Sequence, residues 1–149
     1  MKRPYRLFSL LLVLLAIGCG PAGQHFHGTY NVSGTTTLTL TGYGTDTGPL
    51  TGTRRISEGA TSDLVLSDSS GQCLFPANVE GDVATFSAGA SCTQVIDGVT
   101  VTQTLTTGTA SLSGNVVEVR LAGTVTATYQ GQVYPGSFSE TSTLTRVAK

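Results

Sequence analysis

Residues 115–129 read NVVEVRLAGTVTATY, and this stretch decides the fold class. Its odd positions are Val117, Val119, Leu121, Gly123, Val125, Ala127 and Tyr129; its even positions are Glu118, Arg120, Ala122, Thr124, Thr126 and Thr128. Successive side chains of an extended chain point to opposite faces, so this alternation puts one face in a core and the other in water. A helix would need a period of 3.6, and no stretch after residue 18 shows one.

The same pattern spreads outward from this strand. From Gly28 to Gly42, Tyr30, Val32, Leu38 and Leu40 alternate with Thr29, Asn31, Ser33, Thr35, Thr37 and Thr39. From Val99 to Leu112 the apolar phase begins odd (Val99, Val101, Leu105) and ends even (Ala110, Leu112), which predicts a β-bulge near Thr107-Gly108. Tyr134, Phe138 and Leu144 mark a last strand, and Pro135 places its start at an edge or a bend. Tight-turn signals separate these runs: Asp97-Gly98, Ser113-Gly114-Asn115, Gln130-Gly131 and Gly81-Asp82. Residues 92–147 therefore read as a four-stranded antiparallel meander. Between residues 49 and 88 the pattern is weaker, with shorter strands at Leu64–Leu66, Cys73–Phe75 and Val83–Phe86.

The sum is an all-β domain of about eight up-and-down strands spanning residues 28–149. A single apolar face and long strands favour a small closed barrel, which removes exposed edges; a two-sheet sandwich is the alternative. A membrane-spanning barrel is not expected, because its outward face must be apolar and here one face is threonine.

The N-terminus is of a different kind. Lys2, Arg3 and Arg6 precede an uncharged, leucine-rich run from Leu7 to Gly18. As a helix that run would reach roughly 18 Å, against about 30 Å of bilayer hydrocarbon, so it suits a cleavable signal and not a permanent span. The segment Leu15-Ala16-Ile17-Gly18-Cys19 resembles the bacterial lipobox. That resemblance implies a signal peptide over residues 1–18, a diacylglyceryl group on the Cys19 sulfur, cleavage before Cys19, and acyl chains that hold the protein to a membrane. An ordinary secretory signal with a chance cysteine is the plain alternative. Gly at position 20, where enteric lipoproteins retained at the inner membrane carry Asp, makes the outer membrane the expected site. Residues 19–27 read as a lipidated tether, flexible at least over Gly20–Gln24.

Without Lys2, Arg3 and Arg6, five basic residues face nine acidic ones. A nucleic-acid partner is not expected of so acidic a chain, since binding needs a basic surface to release phosphate counterions. Arg54-Arg55, the only basic pair of the mature part, reads as an exposed strand end. All 25 threonines lie in the mature part, and there is no Trp. With Cys19 taken by lipid, Cys73 and Cys92 remain as an even pair, expected to form a structural disulfide in an oxidising compartment.

Gly28-Thr29-Tyr30 at the start of the first long strand, with Arg146 near the end, resembles the Gly-x-Trp and packing arginine of lipocalin- and avidin-type barrels, Tyr replacing Trp. The resemblance implies a barrel with Arg146 laid on the Tyr30 ring. It carries shape and not function.

Chemistry is sparse. His25 and His27 are the only histidines and fall in the tether, where neither a metal site nor a triad base is expected. Glu118, Arg120 and Glu140 read as a solvent-side charge cluster, and the remaining carboxylates fall mostly at turns. No metal, cofactor or catalytic residue is expected. The expectation is a non-catalytic envelope module that binds a small apolar ligand, with Tyr30, Leu121, Tyr129 and Phe138 as lining residues. The alternative is a structural or partner-binding lipoprotein with a filled interior.

Overall fold

A computed structural model describes residues 20–147. The signal segment and Cys19 lie outside the described residues. Nine antiparallel strands form a single sheet: β1 (Gly28–Leu40), β2 (Gly44–Ser57), β3 (Leu64–Ser67), β4 (Leu74–Glu80), β5 (Val83–Phe86), β6 (Ser91–Ile96), β7 (Val99–Ser113), β8 (Val116–Tyr129) and β9 (Gln132–Arg146). The strand order is β5-β4-β3-β2-β1-β9-β8-β7-β6, and β5 also pairs with β7. Eight strands thus close into a ring of hydrogen bonds, with β6 attached further along the same edge of β7. The expected closure is present, and the two-sheet alternative does not form.

The meander over residues 92–147 is present as β6 to β9 in order. Asp97-Gly98 and Gln130-Gly131 each connect two strands through a two-residue loop with both residues at positive φ. These are type I′ turns, whose twist matches that of the strands they join. The register of β7 against β8 shifts between Leu105 and Thr107, next to the expected bulge, and that shift moves the inward phase from odd to even.

The ninth strand is β2, which alternation does not reveal. It carries Gly44, Gly48, Pro49 and Gly52, and only Leu50 and Ile56 are apolar. Its order comes from pairing with β1 along its whole length, from Leu40↔Gly44 to Gly28↔Ile56.

Strand lengths give the ring two unlike ends. β1, β2, β7, β8 and β9 have 13 to 15 residues, whereas β3 and β5 have four each. The short strands close only the end where the described chain begins, here called the base. At the base Tyr30, Ile56, Leu64, Leu66, Val117, Val119 and Leu144 are fully buried or nearly so. Towards the other end β2 pairs only with β1 and β6 only with β7, so the sheet opens between them. Pro49 lies on this free part of β2 and Pro135 just past the end of β1 on β9, positions where a missing N–H disturbs no ladder.

Residues 24–27 do not behave as a tether. Gln24–Phe26 form one turn of 3-10 helix, and Phe26 is completely buried in the core at the base. An apolar ring four residues before Tyr30 finds cover under the ring of strands, and that burial overrides the polar, low-complexity character of its neighbours.

Candidate functional site

Two of the concave regions among the described residues gather polar and apolar groups from several elements. At the base an open groove of about 1020 Å³ runs beside the N-terminal turn, bordered by His25, His27, Arg55, Glu58 and Arg146. In the interior, where the packed base gives way to the open half, lies a more enclosed slot of about 240 Å³. The slot is the better candidate, because residues of eight different strands and their loops converge on it and its walls mix apolar and polar groups.

The apolar walls are Leu50 from β2, Leu66 from β3, Phe75 from β4, Leu121 from β8 and Phe138 from β9. Phe138 faces Gly123 across the β8–β9 ladder. A Cβ at Gly123 would fall 2.8 Å from the Phe138 ring, so only glycine lets the ring lie against β8.

The polar part comes from residues whose inward direction alternation alone does not announce. Arg54 on β2 and Glu140 on β9 point into the ring, with side chains 14% and 8% exposed. Both guanidinium Nη atoms donate to the carboxylate, Nη2 to Oε2 at 2.8 Å. Ser142, itself buried, donates to Glu140 Oε1 at 2.9 Å. Two sequence expectations are corrected here. Arg54 is not part of an exposed basic end, and Glu140 does not join Glu118 and Arg120 on the wet face. Both residues occupy the inward phase of their strands, paired in register with Tyr30 and Thr36 of β1, and each makes burial of the other tolerable.

Asp68, in the β3–β4 loop, completes the slot. Its Oδ1 accepts the backbone N–H groups of Gln72 (3.1 Å) and Cys73 (3.2 Å), and its Oδ2 accepts from Ser70 Oγ (2.6 Å) and Gln94 Nε2 (3.1 Å). Burial works to raise its pKa, but the Ser70 hydroxyl and the N–H groups of Cys73, Gln72 and Gly71 outweigh it and hold the carboxyl below its ordinary 3.8. Cys73 and Cys92 form a disulfide with Cα atoms 5.0 Å apart, which ties this loop to β6 beside the slot.

Of the four lining residues expected from the sequence, the structure brings two together in the slot, Leu121 and Phe138. Tyr30 is fully buried but belongs to the base. Its hydroxyl donates to the Phe26 carbonyl and accepts from Arg146 Nε (3.2 Å) and Nη2 (2.8 Å). Arg146 also lies 5.4 Å from the centre of the Tyr30 ring and donates to the His25 carbonyl. The arginine-on-aromatic contact implied by the lipocalin-like positions is thus present. Tyr129 is a correction: it is 45% exposed, because inward-phase residues near the hairpin tip extend past the closed part of the ring. Arg54, Asp68, Gln94, Gln103 and Phe75 were missed. The signal available for Arg54 and Glu140 is phase along the strand: Arg54 lies two residues before the inward Ile56 and Glu140 four residues before the inward Leu144.

His25 and His27 sit at the base, away from the slot, with His25 Nε2 3.0 Å from the Gly81 carbonyl oxygen. No group of three or more His, Cys, Asp or Glu converges among the described residues. No protein-family model matches the chain, and no curated protein or solved structure matches it either.

Proposed function

We propose that this protein is a lipid-anchored envelope module that binds a small, largely apolar molecule in the interior slot and performs no catalysis. The observation that carries the reading is the slot itself, with apolar walls from five strands and a fixed ion pair at one side. Binding sites commonly combine a hydrophobic lining with a few convergent polar groups that orient the ligand. At about 240 Å³ the slot lies just under the usual range of about 300–1,000 Å³, so its occupant is small. The anchoring half of the proposal rests on the lipobox-like residues 15–19 and the basic start before them, and Gly20 supports the outer membrane.

Native mass spectrometry of the protein with a panel of small apolar and amphiphilic compounds tests the binding half. A stoichiometric adduct lost on Leu121→Trp, which fills the slot, supports the proposal. Absence of any adduct removes it.

A second reading, docking of an envelope protein, is favoured by one observation. Tyr43, Val95, Ile96, Tyr129 and Val133 are all well exposed at or beside the three hairpin tips opposite the base.

A further inference from the structure

We propose that the slot selects a small quaternary ammonium ion, an inference that rests on the slot being the binding site and adds the charge class of its occupant. Three charged side chains line the slot: Arg54, Glu140 and Asp68. The first two neutralise each other through a two-pronged contact. Asp68 has no such partner. All four of its hydrogen-bond donors are neutral, and no Lys, Arg or His among the described residues lies within ion-pair distance of it. The slot therefore carries one uncancelled negative charge.

The hydrogen bonding of Asp68 narrows the class further. An ionised carboxylate offers about four lone-pair sites, and here four donors occupy them. A ligand at Asp68 contributes charge without needing to donate a hydrogen bond. That requirement favours a cation whose positive charge is covered by methyl groups over a primary ammonium, which would leave its N–H donors without acceptors. The remaining walls suit such a group. Phe75 and Phe138 supply aromatic surface to a weakly hydrated cation, and Leu50, Leu66 and Leu121 supply apolar contact. The surroundings agree in sign, since Asp46 and Asp97 lie near the open end and the mature chain is acidic.

Three compounds of nearly equal shape and different charge provide the test: (2-hydroxyethyl)trimethylammonium, 3,3-dimethylbutan-1-ol and 3,3-dimethylbutanoate. Binding to the full chain in neutral nanodiscs is followed by ligand-observed NMR. The cation is expected to bind about tenfold more tightly than the alcohol, with the anion weakest. The preference should collapse in Asp68→Asn. It should also shrink in the unaltered protein as salt is raised, a measurement that does not depend on the variant folding. Equal binding of cation and alcohol, or a preference that survives in folded Asp68→Asn, overturns the charge assignment and leaves the slot as a neutral binding site. Failure of all three to bind, where apolar compounds do bind, also overturns it. Failure of every compound removes the slot reading together with it.

Discussion

Arg54 on β2 and Glu140 on β9 meet inside the ring across the strand between them, β1, through two parallel N–H···O contacts. Removing one partner of such a pair leaves a charge with little water around it. Glu140→Gln should therefore destabilise the domain by about 3 kcal/mol or more. The double variant Arg54→Met/Glu140→Leu should recover most of that loss, because an apolar pair of similar size needs no compensation. Urea denaturation of the two variants checks both statements. A Glu140→Gln variant as stable as the parent would show that the pair is effectively solvated.

The base depends on another polar junction. Tyr30 links the Phe26 carbonyl to Arg146, so Tyr30→Phe strands a buried carbonyl and removes both arginine contacts to the hydroxyl. A loss of about 1–3 kcal/mol is expected. Phe26→Ala should cost about 3–5 kcal/mol through the cavity it leaves at the base. Thermal unfolding measures both, and if the N-terminal turn were only loosely held neither change would register.

The sequence made the long strands legible because each places apolar residues at every second position, as β8 does from Val117 to Ala127. It concealed β2, where Gly44, Gly48, Pro49 and Gly52 carry the chain and pairing with β1 supplies the order. Tyr129 was misplaced because alternation gives the face of a residue but not how far the ring stays closed along the strand. Phe26 was missed because one aromatic beside two histidines has no period. Two of the five apolar wall residues of the slot are readable from alternation, Leu121 and Phe138. Arg54 and Glu140 violate the polar-outside rule, and Asp68 lies in a loop whose path no pattern fixes.

Asp68 should leave a trace in acid. Its folded pKa is lowered, so the unfolded chain takes up its proton first as pH falls. The stabilisation is fully present above the ordinary value of 3.8 and disappears as pH drops through the lower folded value. Asp68→Asn should accordingly show a shallower decline of stability below about pH 4 than the parent. Parallel denaturant titrations at pH 6, 4 and 3 compare the slopes; identical slopes would mean that the carboxylate is not held by its four donors.

The Cys73–Cys92 link closes a loop with a sequence separation of 19 and holds Asp68 near Gln94. Reduction should lower stability by about 3 kcal/mol on the chain-entropy account, with the β signal in circular dichroism retained. Two alkylatable thiols in unreduced protein from the envelope would contradict the pairing in the cell.

The anchor is the prediction on which cellular placement turns. Only the sulfur of Cys19 can accept a thioether-linked diacylglyceryl group in the proposed processing, because Cys73 and Cys92 are bonded to each other. Cys19→Ala should therefore remove incorporation of a tagged fatty acid, leave the signal segment uncleaved by the lipoprotein route, and shift the chain out of the detergent phase on phase separation. Two or three acyl chains hold a protein far more firmly than one, since each buried methylene contributes about 0.8 kcal/mol. The described structure adds a geometric consequence. Only six residues lie between Cys19 and the buried ring of Phe26, a reach of roughly 23 Å at full extension. An anchored domain therefore stands with its base to the bilayer and its hairpin tips outward. A cysteine placed at Gly42 should then be labelled by a bulky aqueous maleimide, whereas one at Glu58 should be shielded by the membrane until detergent is added. Fatty-acid labelling that persists in Cys19→Ala would overturn the anchor, and equal labelling at both engineered positions would overturn the orientation alone.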